Sequence, residues 1–149
     1  MALETHRRIE NRGPAYQEEL VTGAGSIKPG MLVQLDSAGE IVVHDIVEGI
    51  TPIMTPLENA LLGAIVTTAF TDGEVATVLI PQKGAVVNMI VTSGQTVSIG
   101  TQLVSAGTGK LITAENATSG VLVPGVLFEA VEGQVGALSA DTLVACRVI

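Results

Sequence analysis

The sequence predicts an all-β protein: a small barrel or sandwich of two related halves with an extended N-terminal arm. Three observations predict it. Hydrophobic residues make up 47% of the 149 positions, yet only two Phe, one Tyr and no Trp are among them. The core is therefore aliphatic, and its Val and Ile, stiff at χ1, suit a pleated, half-buried surface. Seventeen glycines and six prolines cut the chain into short segments, as frequent turns require. Finally, residues 21–42 (VTGAGSIKPGMLVQLDSAGEIV) and 91–112 (VTSGQTVSIGTQLVSAGTGKLI) align without a gap. Val21 faces Val91, Thr22 faces Thr92, Gly30 faces Gly100 and Gly39 faces Gly109. Ile27/Val97, Val33/Leu103, Ile41/Leu111 and Val42/Ile112 are like-for-like pairs, and VATVLI at 75–80 is echoed, with a one-residue slip, by VACRVI at 144–149. Self-similarity at a fixed spacing is the mark of a repeated structural unit.

The elements follow in chain order. Residues 1–16 (MALETHRRIENRGPAY) are polar and charged, and Pro14 blocks any helix running through. They read as a flexible arm, with a short helix over Leu3–Asn11 as the alternative. Residues 17–149 read as one β domain, long enough for its own core. Glu19–Thr22 is expected as a strand, then a Pro29-Gly30 turn, and then Met31–Leu35 and Glu40–His44 as a hairpin around Asp36–Gly39. Thr51–Asn59 holds Pro52 and Pro56, so it is a loop or an edge excursion. Leu61–Phe70 and Val75–Ile80 are expected to pair around Asp72-Gly73. The second half repeats the plan with strands at Ala85–Thr92, Thr96–Ile99, Gln102–Val104 and Lys110–Thr113. Ala114–Gly120 is a polar loop, and Val121–Val123, Val126–Val131 and Thr142–Ile149 complete the domain. Gly133–Ala140 reads as a loop or one helical turn.

The charge narrows the function. A net charge of −8 opposes nucleic acid and anionic membranes, which demand a basic footprint, and neither is expected as a partner. Arg7, Arg8 and Arg12 place three of the seven cations in the first twelve residues, ahead of an acidic body. With Leu3, Ile9 and Tyr16 as apolar anchors, they make the arm a candidate partner-binding segment. No catalytic, cofactor or metal set is expected. His44-Asp45 has the form of a base beside its carboxylate, but no G-x-S-x-G accompanies it. Gly107-Thr108-Gly109-Lys110 lacks phosphate-loop spacing and reads as a turn. Cys146 alone excludes an intrachain disulfide and reads as a small buried residue. The reading is of a non-enzyme.

Behind the arm come four runs: Ile27-Lys28-Pro29-Gly30-Met31-Leu32-Val33, Gly94–Leu103, Gly125–Ala130 and Leu143–Ile149. In this order they resemble the capsid decoration, or cement, proteins of tailed bacteriophages. The likeness spans nearly the whole chain as a pattern of small β motifs. It implies a tulip-like β domain that forms a homotrimer on the outer surface of an expanded phage capsid and clamps major capsid protein subunits. It implies a virion protein made in the host cytoplasm, whose arm (Ala2–Tyr16) reaches the shell or a neighbouring trimer through Leu3, Arg7, Arg8, Ile9, Arg12 and Tyr16. Removal of residues 1–16 is then expected to leave the fold intact and weaken shell binding. Two other likenesses stand beside it. Gly94–Leu103 is similar to the hairpins of biotinyl and lipoyl carrier domains, but neither Lys83 nor Lys110 has the flanking residues of a modified lysine. Ser26–Val33 is similar to a β-clip or SAF-like module, which implies a small-molecule binding role.

Overall fold

The secondary-structure elements among the described residues are strands. The computed structural model describes residue 9 and residues 11–47, 49, 51–58, 68–114 and 125–149. The strands are β1 (Asn11–Arg12), β2 (Ala15–Val21), β3 (Val33–Leu35), β4 (Ile41–Val43), β5 (Thr55–Pro56) and β6 (Val75–Pro81). They continue as β7 (Val86–Val91), β8 (Gln102–Ser105), β9 (Leu111–Thr113), β10 (Phe128–Ala130) and β11 (Thr142–Val148).

The largest sheet runs β1-β7-β11-β10-β8-β9, and β9 pairs back onto β7 at Val91↔Leu111 in parallel. From β7 onward the pairing returns to its start. The earlier strands form a sheet β2-β6-β5 and a hairpin β3-β4. Two links join these: Val33 N–H donates to Met54 O at 3.1 Å beside β5, and Thr22 bridges Ile41 in parallel. The partner sequence β2-β6-β5-β3-β4 thus matches β7-β11-β10-β8-β9.

The match extends to register. Val33↔Val43, Gln34↔Val42 and Leu35↔Ile41 pair in the first hairpin. Leu103↔Thr113, Val104↔Ile112 and Ser105↔Leu111 pair at the corresponding positions of the second. Met31 N–H donates to Lys28 O as Thr101 N–H does to Ser98 O, at 3.2 and 3.0 Å. Asp36 N–H donates to Glu40 O as Ala106 N–H does to Lys110 O, both at 2.9 Å. Gly30 and Gly100 lie at φ +84° and +89°, the left-handed conformation that a Cβ disfavours.

Two apolar clusters fill the interior. One gathers Met89, Val91, Leu103, Leu111, Phe128 and Val144 among others, and the other Ile27, Val33, Ile41, Phe70 and Val78. Each such side chain contributes about 1.5–3 kcal/mol on leaving water. Ile90 packs against both clusters and belongs to their common wall.

Several expectations change. β6 pairs with β2 along its length and with β5 at Val78 and Leu79. Within the expected strand Leu61–Phe70, residues 68–70 form no strand, and 61–67 lie outside the described residues. Thr96–Ile99 contributes a single bridge, Thr96↔Ala137, because its glycine-bounded turn leaves no length for a ladder. Gly133–Ala140 is loop with no helical turn. Thr55–Pro56 is a two-residue strand at the end of the β2-β6-β5 ladder, where a proline is tolerated. Residues 115–124, including the expected strand Val121–Val123, lie outside the described residues. The end of the arm stretch is woven into the body: β1 lies on β7, and β2 begins at Ala15.

Candidate functional site

The polar side chains with chemical potential converge where β2–β6 meets β7–β11. His44 follows β4, and its backbone is held on both sides. Its N–H donates to Leu32 O at 3.0 Å, and its carbonyl accepts Gly109 N–H at 3.1 Å. This fixes the ring against Ser105 at the end of β8, with Nδ1 and Oγ 2.6 Å apart. Gly107 N–H donates to the same Oγ at 3.2 Å. Both side chains are fully buried. Burial pushes the His44 pKa below its usual value, and the charge of Asp45 opposes the shift. Asp45 does not orient the ring: its Oδ1 accepts Gln34 Nε2–H at 3.0 Å. The pair resembles a base and its nucleophile in geometry, but both side chains are buried. It acts as a buried pin.

Beside the pin lies a half-open cavity of about 570 Å³. Met31, Val43, Ile90 and Leu143 supply apolar walls, and Lys28, Lys110 and Asp141 stand at its polar side. Lys110 Nζ meets Asp141 Oδ2 at 2.7 Å, and Ser93 N–H donates to Asp141 Oδ1 at 2.9 Å. The Lys110 hydrogen bond holds the Asp141 carboxyl below the usual range; burial opposes this, and the Ser93 bond and the charges of Lys110 and Lys28 reinforce it. Both partners are partly exposed, so the pair contributes no more than about 1 kcal/mol. The Gly107–Lys110 turn is not a phosphate cradle. Its Gly107 and Gly109 N–H groups are spent on Ser105 Oγ and His44 O.

The partner-binding residues of the arm do not come together. Leu3, Arg7 and Arg8 lie outside the described residues. Ile9 is buried in the chain's own core, and its N–H donates to Glu58 Oε2 at 3.3 Å. It therefore anchors the segment to this body rather than to a partner. Arg12 is exposed in β1, and Tyr16 is 67% exposed in β2. Nothing in β2 is fully buried, although it pairs with β6 along its whole length.

Cys146 is buried in β11, where its thiol donates to Val144 O at 3.1 Å and desolvation raises its pKa. A buried neutral thiol is inert. Among the described residues no three metal-ligating side chains cluster. Glu129 and Arg147 form a loose cross-strand ion pair at 4.0 Å, and Lys83 is exposed in the β6–β7 turn.

Sequence reasoning singled out His44 and the Gly107–Lys110 turn but not their companions. Ser105, Lys28 and Asp141 sit far along the chain from the residues they serve, and no local pattern marks them. The alignment of the two segments holds one hint: Leu35 faces Ser105, a polar residue where its counterpart is apolar. Comparison with known proteins finds no family model that matches the chain and no match among curated proteins.

Proposed function

We propose that this chain is a structural protein that decorates the outer surface of an expanded tailed-phage capsid. It acts there as a homotrimer clamping major capsid subunits, without catalysing a reaction. In the same reading β2–β6 and β7–β11 are two copies of one five-stranded barrel, a tulip-like pair of units. The identical strand order and hairpin registers support the duplication.

One observation carries the functional reading. Large apolar side chains project into water from the strand ends and turns of a stiff aliphatic scaffold. Val135 is 97% exposed, Ile99 78%, Tyr16 67%, Ile46 59% and Val75 52%. In this reading they are the contact residues of an assembling protein, as exposed apolar surface is where it forms a contiguous patch. The polar pair best suited to chemistry, His44 and Ser105, is sealed inside. Many weak contacts of this kind gain strength when copies are linked, through effective concentration.

The arm reading narrows to the residues before Ile9. Removing residues 1–16 would strip Ile9 from the core, β1 from β7 and the first residues of β2. The informative deletion is residues 1–8, which carries Leu3, Arg7 and Arg8. The test is co-sedimentation with purified expanded heads that lack their decoration protein. The full chain is expected to pellet with expanded heads but not with unexpanded ones, and the deletion is expected to bind more weakly. Failure to bind expanded heads at any concentration would refute the capsid reading.

The cavity beside Lys28 and Lys110 favours a second reading, a β-clip or SAF-like small-molecule binding module. A cavity of about 570 Å³ is within the range of ligand sites. The carrier reading gains nothing, because Lys110 is engaged with Asp141.

A further inference from the structure

We infer that copies of this chain join head to tail by repeating, between molecules, the interface that joins the chain's own two units. The inference rests on the reading of those units as copies, and it supplies the contact surface for the homotrimer.

Inside the chain that interface has two parts. The Lys28–Met31 turn of the first unit lies on the outward-facing pair Ile90–Leu143 of the second. Gly30 O accepts Ile90 N–H at 2.9 Å. A Cβ on Gly30 would stand 2.6 Å from Leu143 Cδ2 and 3.3 Å from Ile90 Cγ1. In return, the Ser105–Lys110 turn of the second unit lies on the first. Leu32 N–H donates to Gly109 O at 2.7 Å, and a Cβ on Gly107 would stand 2.8 Å from Val47 Cγ2.

The two corresponding turns lack this cover. In Ser98–Thr101, Ile99 is 78% exposed, and a Cβ on Gly100 would meet nothing within 4 Å. In Leu35–Glu40, Leu35 is 50% exposed, and a Cβ on Gly39 would also meet nothing. These are the two turns that a repeat of the interface requires.

The receiving surface can be placed as well. Gly23 N–H donates to Ile41 O as Thr92 N–H does to Leu111 O, at 2.8 and 3.0 Å. That equivalence sets Val21 in the place of Ile90. The strand partner of Val21 is Val75, which takes the place of Leu143. Thr22 N–H donates to Glu74 O, so by strand alternation the Val21 N–H points away from β6, as the Ile90 N–H points away from β11 toward Gly30. Leu143 is only 3% exposed beneath its turn, whereas Val75 is 52% and Val21 38% exposed. An apolar turn and an apolar seat are thus both open to water, in the geometry that their counterparts already satisfy. Each copy gives with one end and receives with the other. Such an interface closes a ring or propagates, and three copies close a ring of six units.

Light scattering and a designed cross-link test the interface together. The double variant Ile99→Cys/Val75→Cys is expected to form intermolecular disulfides on mild oxidation, and neither single variant is expected to do so. Cys146 is buried and adds no background. Ile99→Asp is expected to reduce a three-chain mass to one chain, while Ile149→Asp, another exposed apolar position, leaves it intact. A three-chain mass that survives Ile99→Asp and yields no cross-link overturns this interface but not the trimer. A single-chain mass at every concentration, without cross-links, overturns both. A mass that grows with concentration, with cross-links, supports the interface and overturns the closed trimer.

Discussion

The loop before β11 offers a controlled comparison between two alanine substitutions three residues apart. Gly136 lies at φ +82° with open space where a Cβ would go. Gly136→Ala therefore adds only the left-handed backbone penalty, about 1–2 kcal/mol. Gly133 has no such φ, but its missing Cβ is what lets the loop lie on the chain below. A Cβ there would press on the Val97 carbonyl oxygen and stand 2.7 Å from Ser98 Cα. These are backbone atoms, and no rotamer change relieves them. The loop must lift, which strains the adjacent bond from Gln134 N–H to Val97 O at 3.0 Å. Overpacking costs about 1–3 kcal/mol, and a lost hydrogen bond about 0.5–1.5 kcal/mol. Gly133→Ala should therefore cost about 2–4 kcal/mol, roughly twice Gly136→Ala. Urea unfolding followed by circular dichroism at 25 °C reads the difference. In thermal melts each kcal/mol shifts Tm by about 2–4 °C for a chain of this size. Equal losses, or a larger loss at Gly136, would refute the claim that close approach rather than conformation governs this loop.

Two further outcomes are expected. The pKa of folded His44 lies below the usual 6.5, so the folded protein binds fewer protons than the unfolded chain. The stability gained by burying the neutral ring is complete above that value and is lost as pH falls beneath it; melts between pH 8 and 5 should show the loss, and His44→Asn should flatten it. Lys110→Ala should cost less than about 1 kcal/mol, because the Lys110–Asp141 pair is partly exposed; a loss above 2 kcal/mol in urea titration would contradict that reading.

Local chemistry was readable along the chain. The Asp36–Gly39 turn is one example: the Asp36 carboxylate accepts the N–H groups of Ala38 and Glu40 at 2.8 and 3.0 Å, and Gly39 takes the positive φ. The strands on either side follow from their β-branched runs. The two hairpins were readable too, and β3–β4 and β8–β9 pair in corresponding registers. Cys146 sits buried in the last strand, as its apolar neighbours implied.

The long-range pairings were not readable, because many strands of similar aliphatic character compete for each edge. Nothing local marks Ala15–Val21 as the partner of Val75–Pro81, yet β2 lies along the whole of β6 and packs Leu20 against the cluster of Ala76 and Val78. Ile9 looked like an anchor for a partner, and the pocket over Gly30 claimed it for the core. The same holds for the candidate site. His44 announces itself by its rarity, but its meaning depends on Ser105, sixty-one residues along the chain and placed beside it by the fold. Alternation, turn residues and composition act between neighbours and survive in the linear order. Burial and the choice of strand partner arise only when distant segments exclude water together, and they belong to the folded chain.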